Sequence, residues 1–527
     1  MSSAFTPREC NLSDLAEDKP LLLSPTSLEF TPVITCPSSY TQDIFQPACY
    51  QLIQHPEYNS TLILRSEPLS DADDAFHVHT PQLHGYSAVR QIHRRIVPRR
   101  PGRDPPMEQL CTFYTEEKQG IDASPCVVIL TPLLQDGKVL PYYHPDVLHL
   151  VFRYISTNDH LRVEVLRPAG RDNAGIAPKL YRTCQHLLTA IHRFSPSYTK
   201  NVFHDRLVPR DIYQDMYLLM RERHGVRCVQ NWKEVTDPQK HVFEDIAIAT
   251  YLILLWFYTY SREDAASPPV SSLPKSTDPG AHEDGIFNSW PRPSKGFIDM
   301  GCGNGLLTHI LAWEGYAGLG IDLRARQSWA HYSGEWTRAA LKTASIDPTC
   351  PVLEVEGEEV LPEGTFLIGN HADELTPWLP VLARLWNCSG YLSIPCCSWA
   401  WDCKWTRGYV DPEFCDSEAE EEGRASSPVA EDTILERIGL VDSKAGSTST
   451  YAQYRGWAAQ LSVRCGWVLE CDVLRIPSTR NWAVVGRKLD SESAEKGARF
   501  ARSRVELVRE RGSFKAREPE GKAGREH

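Results

Sequence analysis

FIDMGCGNGLLTHILAWEGYAGLGIDLR, residues 297–324, carries the pattern from which the fold can be predicted. An apolar, β-type run ends on Asp299 and leads directly into a glycine loop, residues 301–305, which a helix-like run follows from Leu306 to Trp313. Glycines in the arrangement D-x-G-x-G-x-G let the backbone approach a ligand where a Cβ would clash, and they leave free N–H groups at a helix N-terminus. The stretch therefore predicts a strand, a tight ligand-binding loop and a helix.

A second acidic residue follows the loop at the distance expected for a nucleoside site. The apolar run Leu319-Gly-Ile321 ends on Asp322, where a carboxylate at a strand tip can accept both hydroxyls of a ribose. Dinucleotide enzymes favour G-x-G-x-x-G, whereas this loop resembles motif I of the class I S-adenosylmethionine methyltransferases. An ordinary glycine turn would not need an acid at both strand ends. The residues that we predict to bind S-adenosylmethionine are Asp299, Gly301, Gly303, Asn304, Gly305, Asp322 and, beyond a later strand, Asn370.

Composition limits the other classes of function. The formal net charge of −12, from 56 Lys+Arg and 68 Asp+Glu, argues against wholesale attraction to nucleic acid, so any RNA contact must come from local patches. The 16 cysteines are too sparse for a disulfide scaffold in 527 residues, and the N-terminus lacks a basic region followed by an apolar one. We therefore expect a cytoplasmic protein.

One apolar run, IAIATYLILLWFYTY at 246–260, raises the question of a membrane. A spanning helix needs about 20 residues, so we expect this run to be too short and to form a buried helix. The acids that precede it, Glu244 and Asp245, suit a helix N-terminus. The prediction is a protein without a membrane partner.

Patterning along the chain predicts several regions. Residues 1–45, rich in Ser, Pro and Thr, are predicted to be disordered, and residues 46–235 to form an N-terminal α+β region. A methyltransferase domain should follow over 236–489. Within it, a Pro-rich linker is predicted at 262–285 and a disordered acidic insertion at about 406–448. The charged tail 490–527 is predicted to be a solvated helix or frayed end.

Arginines crowd one part of the N-terminal region, in the segment QIHRRIVPRRPGRDPP. Arginines clustered in a segment that prolines keep extended can bind phosphates. A solvent-exposed loop whose charge is balanced by nearby acids explains the cluster equally well. The predicted RNA-binding residues are Arg94, Arg95, Arg99, Arg100 and Arg103.

The order of elements after the glycine loop predicts an α/β fold with a doubly wound sheet. We expect helices at 327–341, 379–385 and 451–465, and strands at 352–355, 365–369, 391–394, 467–476 and 482–485. The closing pair of strands is typical of the Rossmann-like seven-stranded sheet of class I methyltransferases, whose final strand is antiparallel.

Several motifs together resemble one family. The runs IDMGCGNGLLTHIL, EGYAGLGIDLRARQSW, LIGNHADELTPWLPVLA, IPCC and LRIPSTRN, with EDIAIATYLILLW and RRIVPRRPGRDPP upstream, are similar to those of the eukaryotic tRNA (uracil-2′-O-)-methyltransferase family. The resemblance implies methylation of the ribose of uridine 44 in serine tRNAs, with S-adenosylmethionine as donor. Some members of the family carry Cys/His zinc-finger elements, but the Cys/His spacing here does not match a zinc site, so no metal is expected.

The chemistry needs a group that removes a proton from a ribose hydroxyl. Asp373 follows the fourth predicted strand and is our candidate base, and Lys404 after the fifth is the candidate for stabilising oxyanion charge. His371 and Glu374 are neighbours for which a loop hydrogen bond or a helix cap is the simpler role.

Two alternatives remain open from the residues alone. Cys396 or Cys397, after the fifth strand, could act as a thiolate nucleophile for methylation at carbon 5 of a pyrimidine, although small residues lining a strand end explain them as well. A cofactor-binding RNA protein without catalysis is the second alternative, which the intact glycine loop and both strand-tip acids disfavour.

Overall fold

The structure is a computed structural model with two compact units, residues 1–200 and 201–527. It describes residues 5–11, 18–73, 75–100, 102–119, 123–134, 139–168, 176–193, 204–261, 268–270, 287–332, 334–350, 352–360, 362–411, 449–512 and 514. The predicted acidic insertion lies outside the described residues from 412 to 448, and so does nearly all of the predicted linker. The unit boundary differs from the predicted boundary at 235/236, because the helices that precede the glycine loop pack with the second unit.

The first unit is an α+β structure. Its strands are β1 (Arg8–Glu9), β2 (Leu22–Ser24), β3 (Leu28–Glu29), β4 (Thr31–Pro37), β5 (Ile63–Ala72), β6 (Gln82–Leu83), β7 (Tyr86–Pro98), β8 (Met107–Glu116), β9 (Val127–Leu133), β10 (His149–Ile155) and β11 (His160–Leu166). Its helices are α1 (Gln42–Gln54) and α2 (Pro178–Arg193). Eight strands form one antiparallel sheet in the order β1-β4-β11-β10-β9-β8-β7-β5, and both helices contribute to the core on that sheet.

The prediction of disorder for residues 1–45 is wrong for part of that range. β4 pairs with β11 inside the large sheet, and Val33, Ile34 and Cys36 are buried there. The run TPVITCP has the β-branched residues that favour a strand, but its two prolines made a strand appear unfavourable in the sequence. Both prolines are tolerated because they lie at the second and last positions of β4, where one missing donor costs little.

The second unit contains an α/β sheet. Its helices are α3 (Arg210–Gln230), α4 (Pro238–Tyr260), α5 (Leu306–Trp313), α6 (Glu335–Ala340), α7 (Leu379–Leu385), α8 (Thr450–Arg464) and α9 (Ala494–Arg511). Its strands are β12 (Phe297–Met300), β13 (Gly318–Asp322), β14 (Leu341–Thr343), β15 (Leu353–Val355), β16 (Glu358–Val360), β17 (Phe366–Asn370), β18 (Gly390–Ile394), β19 (Glu470–Val473) and β20 (Trp482–Gly486).

Seven of these strands form one sheet in the order β14-β13-β12-β17-β18-β20-β19. The five strands from β14 to β18 are parallel, and β20 is antiparallel to both of its neighbours. Apolar residues of α3, α4 and α5 pack on one face, and those of α7, α8 and α9 on the other. This arrangement brings the carboxyl ends of β12, β13, β17 and β18 to one edge of the sheet.

Two predicted elements in this sheet are misplaced. The run at 352–355 forms β15 in a separate two-stranded hairpin with β16, and the sheet edge is the short strand β14. The prediction placed Leu341 at the end of a helix spanning 327–341, where the structure has a 3₁₀ turn (Gln327–His331) and the short α6. Three residues of strand are too few for a period-2 pattern to stand out.

The apolar helix α4 is longer than its apolar run. Asp237 caps its N-terminus by accepting from the Gln239 N–H (2.9 Å), and Pro238 occupies the first turn. Its 23 residues are by length and composition enough to cross a membrane, which corrects the expectation that it is too short. However, 83% of the most apolar 18-residue stretch of α4 is buried inside the protein, as expected of a core helix.

The C-terminal tail is more ordered than predicted. Residues Ala494–Arg511 form α9, and Phe500, Ala501 and Val508 on one side of it are buried against the sheet layer. Lys and Arg side chains dominate its composition and obscured this apolar stripe in the sequence.

Candidate active site

The glycine loop lies between β12 and α5. Gly301, Gly303 and Gly305 all have positive φ (74°, 55° and 73°), a conformation that residues with a side chain rarely adopt. A Cβ added to Gly303 would meet no atom within 4 Å, so this backbone faces open space. The Asn304 side chain stabilises the loop just before α5, because its Oδ1 accepts from the Leu306 N–H at 2.7 Å. The backbone of Gly303 is therefore accessible to a ligand.

Asp322 lies at the tip of β13 beside this loop. Its Oδ2 accepts from the Gly303 N–H (2.9 Å) and its Oδ1 from the Arg324 N–H (3.1 Å). The backbone of the loop is tied to the same strand, since the Gly301 and Cys302 N–H groups donate to the Ile321 carbonyl. These hydrogen bonds place the Asp322 carboxylate and the Gly303 backbone side by side at the end of β13.

A cavity of about 220 Å³ opens at this edge of the sheet. Residues from the glycine loop, from the end of β13, from the segment after β14 and from the loop after β17 line it: Gly301, Gly303, Ile321, Asp322, Leu323, Arg326, Ala344, Ser345, Ile346, His371, Ala372, Asp373, Glu374 and Leu375. The cavity lies where open α/β sheets bind ligands, outside the carboxyl ends of the strands.

Asp299 is buried below the loop. One carboxylate oxygen accepts from the Thr308 hydroxyl (2.9 Å), but Oδ1 is buried without a hydrogen-bond partner. Burial raises the pKa of Asp299 to about 7, the Thr308 bond opposes this rise, and the charge of Asp322 adds to it. An unsatisfied buried acceptor of this kind suits a positively charged ligand group.

Two acids of α4 also reach this region, and the sequence reasoning missed them. Asp245 is buried, and the Asn370 side chain donates to it at 3.5 Å, whereas Glu244 contacts His371 at 3.2 Å. Burial, with the charges of Glu244 and Asp299, raises the pKa of Asp245 well above its usual range. The helix dipole does not explain these acids, because they are the seventh and eighth residues of α4 and lie beyond its first turn. Adjacent acids directly before a long apolar run are themselves a signal of a buried polar site.

The loop after β17 closes the other side of the cavity. His371 and Asp373 have positive φ (58° and 45°), which His and Asp adopt more readily than most residues. The His371 N–H donates to the Ile394 carbonyl (3.2 Å), which holds the loop to the end of β18. Asp373 and Glu374 line the cavity with it. The predicted base and its neighbours are therefore at the site.

Cys396 and Cys397 follow β18 and lie beside Asp373. The Cys396 thiol donates to Asp373 Oδ1 at 3.4 Å, and the possible ligand atoms of these three residues lie within 4.8 Å of one another. Burial, with the adjacent Asp373 and Cys397, raises the pKa of Cys396, which is the opposite of what a thiolate nucleophile requires. The environment of Cys396 thus argues against its acting as the nucleophile for methylation at carbon 5 of a pyrimidine.

Lys404 is exposed in a short loop, where its Nζ lies 4.9 Å from the centre of the Trp399 ring. It does not line the cavity. The proposed role for Lys404 in stabilising oxyanion charge therefore has no support from its position.

The five arginines that we predicted to bind RNA occupy different environments. Arg94 is buried in β7 and donates to Gln109 (3.0 Å) and to the Ile53 carbonyl, so its predicted phosphate contact is wrong. Arg95 is exposed and pairs with Glu108 (3.2 Å). Arg99, Arg100 and Arg103 are exposed after the end of β7. The segment is a strand and a turn, and it alternates between buried and exposed residues as a strand must.

The comparisons with known proteins agree with this site. Residues 8–202 match the family described as "TRM44-like, N-terminal bet v1-like domain", and residues 207–269 and 289–348 match "Predicted AdoMet-dependent methyltransferase". The second match spans the glycine loop and both strand-tip acids, so the protein is an S-adenosylmethionine-dependent methyltransferase. No solved structure gives a significant match to the chain.

Curated relatives define the family further. A tRNA (uracil-O(2)-)-methyltransferase of Neurospora crassa is 32% identical over 92% of this chain and 92% of its own length. The enzymes of the same name from Schizosaccharomyces pombe and Saccharomyces cerevisiae are 31% and 27% identical over 88% and 85% of this chain, and over 86% and 85% of their own lengths. The chain belongs to the tRNA (uracil-O(2)-)-methyltransferase family, which confirms the resemblance found in the sequence.

Proposed function

We propose that this protein transfers the methyl group of S-adenosylmethionine to the ribose 2′-oxygen of a uridine in tRNA, at position 44 of serine tRNAs. The observation that carries the proposal is the cavity in which a bare glycine loop and a strand-tip carboxylate face a loop with candidate proton acceptors. The names of the relatives support tRNA and the uridine ribose as the acceptor. The family resemblance alone supports serine tRNA and position 44.

The residues present fit the cofactor. Asp322 would hold the ribose hydroxyls, and Gly301 and Gly303 would let the backbone lie against the nucleoside. Asp299 Oδ1 and Asn370 Oδ1 are buried acceptors without partners, and with Asp245 they would hold the ammonium group of the methionine part. When bound, the cofactor supplies an electrophilic methyl on a sulfonium, so the chain itself need only align the acceptor and receive a proton.

We also propose that the seven-stranded sheet is the Rossmann-like sheet of class I methyltransferases. The strand order and the single antiparallel strand β20 support this assignment. For the cell compartment we propose the cytoplasm, because most of the cysteines in the described part of the chain are buried and 16 cysteines are too sparse for a disulfide scaffold in 527 residues.

The test is to incubate purified protein with methyl-labelled S-adenosylmethionine and total tRNA from cells lacking the activity, and then to map the modified nucleoside. We expect 2′-O-methyluridine at position 44 of serine tRNAs. A serine tRNA with a single 2′-deoxyuridine at that position is the matched control, because it cannot accept an oxygen-bound methyl but still offers carbon 5. Methyl incorporation at that deoxyuridine would overturn the ribose assignment.

A further inference from the structure

We propose that Asp373, Cys396 and Cys397 form a binding site for Zn²⁺. The possible ligand atoms of these residues, one carboxylate oxygen and two thiol sulfurs, all lie within 4.8 Å of one another. In the part of the chain that the structure describes, no other group of three or more Cys, His, Asp and Glu side chains is gathered this closely. Asp373 lies 23 positions before Cys396, so the spacing of Cys and His residues in the sequence does not show this cluster. Ion binding can be measured without tRNA or S-adenosylmethionine, so the inference does not depend on the proposed function.

The spacing of the ligand atoms suits zinc. Cys396 Sγ lies 3.4 Å from Asp373 Oδ1. In a tetrahedral site with a Zn–S distance of about 2.3 Å and a Zn–O distance of about 2.1 Å, the sulfur and the oxygen are about 3.6 Å apart. These two atoms are therefore already close to where a shared zinc ion would hold them. Two sulfurs on one zinc ion are about 3.8 Å apart, so a small movement of the Cys397 side chain completes the set.

The donor atoms select the class of metal. Two thiolates and a carboxylate suit a borderline ion such as Zn²⁺, whereas Mg²⁺ and Ca²⁺ prefer oxygen ligands throughout. Thiols coordinate as thiolates, so binding releases the thiol protons of Cys396 and Cys397 to the solvent, including the one that Cys396 donates to Asp373. Three protein ligands leave the fourth tetrahedral position to water. The arrangement is therefore that of a zinc site with one open position.

Hydrogen bonds outside the cluster fix the two segments that carry the ligands. The His371 N–H donates to the Ile394 carbonyl (3.2 Å), which joins the loop after β17 to the end of β18. The Tyr451 hydroxyl of α8 donates to the Pro395 carbonyl at 2.9 Å, directly before the two cysteines. Outer contacts of this kind orient metal ligands. The backbone on both sides of the site is thus held in place independently of the ion.

The cluster is accessible to an ion from the cavity at the edge of the sheet. Asp373, Cys396 and Cys397 are all partly exposed, and Asp373 also lines that cavity. A bound Zn²⁺ would connect the loop after β17 to the segment after β18. It would also make Asp373 a metal ligand, and a metal-bound carboxylate is a weaker proton acceptor than a free one.

The test measures the binding of Zn²⁺ alone to the reduced full chain, by competition with a chromogenic chelator. We expect the affinity for Zn²⁺ to fall in Cys396→Ser and in Cys397→Ser by more than the roughly 10- to 100-fold that loss of an outer contact costs. Asn keeps an oxygen ligand but no charge, so the loss of affinity in Asp373→Asn should be smaller. Cys403→Ser, at an exposed cysteine later in the same segment, is the matched control and should bind Zn²⁺ like the wild type.

Alkylation of the wild-type protein gives a check that does not depend on how the variants fold. Zn²⁺ should slow the reaction of iodoacetamide with Cys396 and Cys397, followed by mass spectrometry of the peptides, and should leave the exposed Cys350 unaffected. Equal Zn²⁺ affinity in the wild type and both cysteine variants would mean an adventitious ion only and would overturn the proposal. Alkylation of Cys396 and Cys397 at the same rate with and without Zn²⁺ would overturn it as well.

Discussion

Among single residues, Asp299 links cofactor binding to pH. Its pKa is raised by burial from an ordinary value of 3.8 to about 7, so between these values the folded chain holds a proton that the unfolded chain has lost. Protonated Asp299 therefore stabilises the folded state fully below about pH 4, and this stabilisation is lost as the pH rises through 7. A cationic ligand would favour the ionised form, and we expect affinity for S-adenosylmethionine to rise over the same range.

Asp299→Asn tests this coupling. We expect the free protein to gain on the order of 1 to 4 kcal/mol at pH 8, because a buried charge is removed, and to bind the cofactor more weakly. Thermal unfolding across pH and calorimetry with S-adenosylmethionine measure the two effects. Stability curves of the same pH dependence in variant and wild type would contradict the assignment.

The Asp322 carboxylate at the tip of β13 is expected to contribute directly to cofactor binding. Asp322→Ala should weaken cofactor binding by roughly 1.5 to 3 kcal/mol, because hydrogen bonds to a charged group are lost. The substitution also removes the acceptor of the Gly303 N–H, so Asp322→Asn, which keeps an acceptor oxygen but no charge, is the paired variant. Unchanged calorimetric affinity in folded Asp322→Ala protein would show that the nucleoside binds elsewhere.

At the scale of elements, α9 is a structural part of the second unit. Phe500 is 1% exposed and belongs to the core cluster beneath the sheet, although it lies in a segment dominated by charge. We expect Phe500→Ala to lower the free energy of unfolding by about 3 to 5 kcal/mol. The exposed Glu506→Ala on the same helix should change it by less than about 0.5 kcal/mol. Denaturant titration of both variants measures the difference, and equal stabilities would mean that α9 contributes little.

For the whole molecule, the question is how a protein of net charge −12 binds tRNA. Arg95 pairs with Glu108 and Arg99 donates to the Ile63 carbonyl (3.1 Å), so the exposed Arg100 and Arg103 after β7 are the predicted phosphate contacts that we choose to test. Replacing both by Glu should weaken tRNA binding by about tenfold and lower its salt dependence, without changing the affinity for S-adenosylmethionine. Lys118→Glu/Arg182→Glu makes the same change of charge at exposed positions elsewhere in that unit. Equal tRNA affinities in the two double variants would remove the turn from the interface.

The local pattern of residues was enough to predict the class of enzyme and the cofactor side of its site. The D-x-G-x-G-x-G loop and Asp322 are neighbours along 24 residues, from 299 to 322, so local pattern was enough to predict the cofactor, and the comparisons confirmed it. The parallel strands β12, β13, β17 and β18 and most of the helices were also predicted, because each has its own pattern of apolar residues, whereas the short edge strand β14 was missed.

The acceptor side of the site could not be predicted from local pattern, because it is assembled from segments that are distant in the sequence. Glu244 contacts His371 across 127 positions of sequence, and no spacing rule connects an acid within a helix with a histidine after a strand. In the same way, Arg94 and Arg100 look alike in the sequence, but only the pairing of β7 with β8 shows that one is buried beside Gln109 while the other faces solvent. A residue's chemistry depends on its burial and partners, and long-range packing alone sets those.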